Sequence, residues 1–225
     1  RGARSFITAG EGPGASGSVW ILPTNGTALP TGTLVFALHR SSVIVSEAGI
    51  TLITPDSKFR IYVNASGNFS AADVGSIQSG VAISNPSSTP TTVRLELVNP
   101  GGASVAVSTV PLAGGSQFAR FLTDVPGFEN VSLPFQGILR VTSASPVAVT
   151  GLRVRYNERQ ELLMTTTPPV PEDSAGGPDI FFPQFADAGG YSTQFVLFSS
   201  GGDEARSGAV RFVSPGGEPV GLKLH

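Results

Sequence analysis

Cysteine is absent from the chain. That absence removes disulfide scaffolds, thiolate metal centres and cysteine nucleophiles together. Charge is scarce as well: 13% of residues are charged, 14 basic against 16 acidic, for a net charge of −2. No basic excess exists to hold a phosphate backbone, so nucleic acid is not an expected partner. No apolar run approaches the roughly 18 residues of a membrane-spanning helix, so no membrane span is expected. Histidine occurs twice, at His39 and at the last residue, His225. The chain opens at Arg1 and not at a methionine, which suggests a processed or trimmed start and leaves room for a lost export signal. Also missing is any 3.6-residue apolar period sustained over a helix length.

What is present is turn and strand material. Forty per cent of the residues are hydrophobic, with 28 Gly and 18 Pro. Ample apolar content with low charge argues for a buried core and against disorder. Short β-rich runs predict strands near residues 19–22, 33–38, 43–47, 59–63, 80–84, 92–98, 104–110, 117–122, 137–142, 148–156 and 161–165. A last group lies near 180–185, 193–198, 208–213 and 220–224. Turn formers break the series: Asn25-Gly26, Asn99-Pro100-Gly101-Gly102, Ser145-Pro146 and Ser214-Pro215-Gly216-Gly217. Many short strands at this spacing predict an all-β sandwich or barrel. A Pro-rich stretch ending in Gly176-Gly177 reads as a linker over residues 171–177, and a shorter break falls at 53–57.

The main signal is an internal match. Residues 80–85 (GVAISN) match 194–199 (QFVLFS), and Val98-Asn99-Pro100-Gly101-Gly102 matches Val213-Ser214-Pro215-Gly216-Gly217, at an offset of about 115 residues. Residues 137–141 (GILRV) match 17–21 (GSVWI), residues 150–156 (TGLRVRY) match 31–37 (TGTLVFA), and 160–165 match 44–49 more weakly. Residues 58–170 carry both motifs in order and read as one complete β-domain. Residues 1–52 carry only the second motif and 178–225 only the first, so they read as the two halves of a split domain. Neither half would be stable alone, because each leaves unpaired strand edges and an uncovered apolar face. Three arrangements satisfy them. The two ends close within one chain, or the C-terminal half of one chain completes the N-terminal half of the next, head-to-tail. In the third, the sequence is one period of a longer repetitive protein.

These motifs resemble a known type of repeat. Residues 34–50 (LVFALHRSSVIVSEAGI), 79–86 (SGVAISNP), 137–156 (GILRVTSASPVAVTGLRVRY) and 183–196 (PQFADAGGYSTQFV) are similar to tandem β-sandwich repeats of large secreted bacterial surface or extracellular proteins. The resemblance covers nearly the whole chain. It implies exported β-sandwich modules and carries over no functional residues. This chain departs from the pattern in its frame, beginning and ending mid-repeat.

Individual residues nominate little chemistry. His39 at a strand end has Glu47 and several serines nearby in sequence but no nucleophile elbow, and reads as a surface or turn histidine. Asp187, in Phe185-Ala186-Asp187-Ala188-Gly189-Gly190, is a weak candidate for a loop metal site, against the plainer reading of an Asx-turn acceptor. Gly12, Gly14 and Gly17 lack the lysine and helix of a phosphate loop. No catalytic residue, metal site or cofactor is expected, and no enzyme activity. Glycosylation sequons begin at Asn25, Asn64, Asn68 and Asn130, while Asn85 is followed by Pro86. The apolar residues Trp20, Leu34 and Phe36 on one half, and Phe182, Phe195, Phe198 and Phe212 on the other, read as the core of the split domain.

The expectation is therefore an all-β chain of two immunoglobulin-like β-sandwich modules, one contiguous and one split between the termini. Its expected role is as a structural subunit of an extracellular filament or surface layer. Its partners would be copies of itself, with glycan on a sequon as a further option. The alternative is a monomeric adhesive or carbohydrate-binding module pair, in which aromatic side chains form an outward platform.

Overall fold

A computed structural model describes residues 3–10, 12–22, 28, 31–172, 180–197 and 208–222. Every strand pairing in it is antiparallel. The only helical elements among the described residues are two single 3-10 turns, Phe69–Ala71 and Leu122–Asp124, so the protein is all-β. The chain divides into two units, Arg1–Glu172 and Asp173–His225.

The first unit begins with a hairpin, β1 (Thr33–Arg40) and β2 (Val43–Thr51). It turns at Ser41 and Ser42, both at positive φ, as a two-residue hairpin turn requires. The rest is a curled sheet of eight strands: β3 (Asp56–Ser66), β4 (Ile77–Ser84), β5 (Thr91–Val98), β6 (Ser104–Leu112), β7 (Gln117–Phe121), β8 (Phe135–Tyr156), β9 (Leu162–Thr167) and β10 (Val170–Pro171). Period-2 patterning sets the faces. Phe59, Ile61, Val63 and Ala65 of β3 are buried, as are Val93, Leu95 and Leu97 of β5 and Leu139 and Val141 of β8. With Val81, Ile83, Val110, Val125, Phe128, Val147 and Val149 they form one core.

Strand β8 organises this sheet. Its first half lies between β3 and β5, with Leu139 opposite Ile61 on one side and Leu97 on the other. Its second half lies between β4 and β9, with Gly151 opposite Val81 and Thr167. The turn expected at Ser145-Pro146 is not there: β8 runs through it as a single strand of 22 residues. The proline falls where the strand changes neighbours, and Ser143 Oγ donates to Ser145 O at 2.6 Å to shape the corner. A proline lacks the ladder N–H, and a corner between partners does not need one.

Strands expected near 33–38, 43–47, 59–63, 80–84, 92–98, 104–110, 117–122 and 161–165 are present, most of them longer than anticipated. Those expected near 19–22, 180–185 and 193–198 are not: residues 19–22, 180–185 and 193–197 are irregular, and Phe198 lies outside the described residues. Among the described residues of the second unit, β11 (Phe212–Val213) and β12 (Pro219–Val220) pair, and Ala188 and Tyr191 form an isolated bridge. Strand-forming sequence yields a strand only where a neighbour accepts its backbone hydrogen bonds.

Candidate interface

The predicted interface residues occupy both units. In the first, Leu34 and Phe36 alternate along β1, opposite Ile50 and Ala48 of β2. Phe36 is 48% exposed and Leu34 is also exposed. Trp20 is 49% exposed on the irregular segment 12–22. That segment touches the sheet at Gly17, whose backbone N and O each lie 3.2 Å from the side-chain amide of Gln117 at the start of β7. The hairpin is tied to β9 by side-chain bonds, Met164 N–H to Ser46 Oγ at 2.7 Å and Thr166 Oγ1 to Gly49 O at 2.6 Å.

In the second unit three of the predicted residues come together. Phe182 meets Phe195 at a 5.6 Å centroid distance and Phe195 meets Phe212 at 5.6 Å. Phe185 joins Phe212 at 5.3 Å, and all three contacts are edge-to-face, the arrangement aromatic quadrupoles favour. Phe182, at the end of this chain of contacts, is exposed.

The turns matched in sequence have the same geometry. In the β5–β6 hairpin, Gly102 N–H donates to Asn99 O at 2.9 Å, Asn99 N–H to Ala103 O at 2.9 Å, and Ala103 N–H to the Asn99 side chain at 2.9 Å. In β11–β12, Gly217 N–H donates to Ser214 O at 2.9 Å, Ser214 N–H to Glu218 O at 2.8 Å, and Glu218 N–H to the Ser214 hydroxyl at 3.1 Å. The turn glycines share their conformation, with φ 86° at Gly102 and 89° at Gly217. Val98 pairs Ser104 as Val213 pairs Pro219.

Matched positions differ in burial, and this is the signal that residue-by-residue reading missed. Leu139 and Val141 are fully buried, whereas their matches Val19 and Ile21 are 72% and 50% exposed. Ile83 and Leu95 are buried in the core, whereas their matches Leu197 and Val210 are 61% and 52% exposed. The offset that reveals these pairs was legible in the sequence.

The outer face of β3, β8 and β5 carries a polar ladder that links residues distant in sequence. Glu172, buried just after β10, accepts from Arg60 Nε at 2.8 Å and Arg140 Nε at 2.7 Å. Burial pushes its carboxyl up, but the two guanidinium groups outweigh this and hold it below the ordinary carboxylate range. Arg140 also reaches Glu96 at 3.5 Å, and Arg94 bonds Glu96 at 2.6 Å. The Arg94 hydrogen bond, working against partial burial, keeps Glu96 below its usual value.

The remaining nominated residues are dispersed. His39 is exposed beside a bulge in β1, and Glu47 is exposed on β2. Asp187 lies in a tight turn where Tyr191 N–H donates to Ala188 O at 3.0 Å, and the Thr193 hydroxyl bridges Ala186 O and N. The turn is closed by Thr193 and not by the Asp187 carboxylate. Among the described residues, no three His, Asp or Glu side chains cluster to hold a metal, and no helix is long and apolar enough to cross a membrane. Asn64 lies on β3, accepting from Arg153 Nε at 3.0 Å. Asn68 is exposed and caps a 3-10 turn by accepting from Ala71 N at 3.3 Å. Asn130 is exposed, and Asn25 lies outside the described residues.

Neither a family model nor a curated protein matches the chain. Among solved structures, the crystal structure of Thermotoga maritima 1070 aligns at 12% identity with a TM-score of 0.39, over 52% of this chain and 96% of that chain. A likeness at that level carries no argument about function.

Proposed function

We propose that the chain is a structural subunit of an extracellular filament or surface layer. Copies assemble head-to-tail, residues 178–225 of one completing residues 1–52 of the next. In this reading 58–170 is one immunoglobulin-like β-sandwich module, and the paired segments form a second module of the same kind. The observation that carries it is the matched burial: Val19, Ile21, Leu197 and Val210 are exposed where their counterparts form the core. Apolar area of this kind drives association at about 25 cal/mol per Å² before the costs of ordering. The shared turn geometry supports treating the two hairpins as copies. The resemblance to repeats of secreted bacterial surface proteins supports the extracellular placement.

Light scattering with negative-stain electron microscopy tests the proposal. Thread-like particles with an axial repeat of one chain are expected, and a compact particle of one chain's mass at all concentrations overturns it. Trp20 is the only tryptophan, so burying its half-exposed ring on assembly gives a blue-shifted emission that rises with concentration.

A further inference from the structure

Resting on that reading, the structure points further, to the register of the joint. We infer that residues 18–21 of one copy pair antiparallel with residues 210–213 of a second copy, Val19 opposite Phe212 and Ile21 opposite Val210. Gly17 is the position that leaves room for the incoming strand.

The register follows from the intact unit. There Ile138 pairs Val98, Leu139 pairs Leu97, Arg140 pairs Glu96 and Val141 pairs Leu95. Carrying each residue to its match gives Ser18 with Val213, Val19 with Phe212, Trp20 with Arg211 and Ile21 with Val210. The core-facing pairs are then apolar on both sides. The outward pair changes chemistry but stays complementary: the Arg140–Glu96 contact becomes an arginine over the single tryptophan, a cation–π pair. A second ladder follows from β4 and β8. Val81 opposite Gly151 becomes Phe195 opposite Gly32, and Ile77 opposite Arg155 becomes Tyr191 opposite Phe36.

The glycines supply an independent check. A Cβ on Gly137 would collide with the Val98 carbonyl oxygen and come within 2.9 Å of the Phe135 ring. One on Gly151 would lie 2.6 Å from Thr167 O and 2.8 Å from the Ile61 side chain. Packing in the intact unit therefore demands glycine at both positions. Their matches, Gly17 and Gly32, would carry a Cβ with nothing within 4 Å among the described residues. Neither has a positive φ that would require glycine on conformational grounds. Among the described residues nothing crowds Gly17 in a way that requires glycine there. The proposed register gives Gly17 a packing reason, since the carbonyl that crowds Gly137 is that of Val98, whose match is Val213.

Because the chain has no cysteine, paired cysteines report the register cleanly. Trp20→Cys with Arg211→Cys places the thiols opposite each other on the outward face, and Ser18→Cys with Arg211→Cys is two residues out of register. Under mild oxidation the first pair is expected to give a ladder of linked multimers on a non-reducing gel, at least tenfold more than the second. Equal ladders from both pairs overturn the register and leave assembly standing. A disulfide closing within single chains only from the first pair keeps the register and overturns the head-to-tail reading. No cross-link from either pair, in material that light scattering shows to be assembled, overturns the register alone. In the full chain otherwise unaltered, Gly17→Ala is expected to leave the melting of the unassembled chain unchanged while weakening assembly at least tenfold. Assembly of this variant at the original concentration overturns the role given to Gly17.

Discussion

Strand β8 and the segment around Trp20 share a matched pattern, a glycine followed by alternating apolar residues, and end in different states. Residues 137–141 lie in mid-sheet with Leu139 and Val141 fully buried, while residues 17–21 are irregular and exposed. The same contrast separates β5 from residues 208–211, which are irregular and exposed. Composition and alternation do not differ enough to explain it. What differs is the presence of a hydrogen-bonding neighbour on each side, β3 and β5 for the first half of β8. A β-strand is thus a property of a pair, and a sequence that favours one remains irregular until a partner is supplied.

This comparison can be broken most sharply in the two cores. Leu95→Ala is expected to destabilise the first unit by about 3 kcal/mol, the usual cost of emptying a well-packed core site. Its match, Val210→Ala, is expected to change stability by under about 0.5 kcal/mol in the unassembled chain. Urea denaturation of both variants at a concentration below assembly measures the difference, and equal losses would mean that Val210 already sits in a core. Next in size, Gly151→Ala forces a methyl against Thr167 and Ile61 and is expected to cost about 2–3 kcal/mol, a typical overpacking penalty. Gly32→Ala is expected to cost nothing measurable by the same melt.

The ion-pair ladder sharpens the contrast through pH. Glu172 has its carboxyl held below its ordinary value of 4.5 in the folded state. Its contribution to stability is therefore fully present above that pH and is lost as pH falls through the depressed folded value. Thermal melts between pH 7 and pH 3 are expected to show the first unit weakening below about pH 4.5. Glu172→Gln is expected to flatten that dependence and to cost about 2 kcal/mol at neutral pH by leaving Arg60 and Arg140 facing a neutral amide. A variant with an unchanged acid limb would show that Glu172 is not the source of the pH dependence. The smallest effect is expected at the matched turns. Asn99→Ala removes one side-chain bond to Ala103 N and should cost about 1 kcal/mol. Ser214→Ala should leave the first unit's melt unmoved, while amide exchange at Glu218 accelerates.

Much of the first unit was legible because alternation is a local signal. Residues 92–98 and 104–110, separated by Asn-Pro-Gly-Gly, announce a hairpin, and β5 and β6 form it with Val98 opposite Ser104. Pro146 misled the reading, because a proline at a strand corner and a proline in a reversing turn look alike in sequence. The Glu172 ladder was not legible at all. Its members, Arg60, Glu96, Arg140 and Glu172, are brought together only by strand order. Of the proposed interface, the large apolar residues were visible, but Val19, Ile21, Leu197 and Val210 became informative only when matched positions were compared for burial. The aromatic cluster likewise needed coordinates to show Phe185 joining Phe212.

The sequence by itself determined that this is an all-β chain without thiol chemistry, and it determined which residues alternate toward a core and where two hairpins share one turn. These are effects of neighbours in the chain, acting through φ preferences, side-chain direction and turn geometry. Only the tertiary structure decided which of the equivalent strands form, which glycines are crowded and which carboxylate is buried between two arginines. Those outcomes depend on groups far apart in sequence meeting across a sheet, where backbone hydrogen bonds, excluded volume and desolvation act between partners and not along the chain.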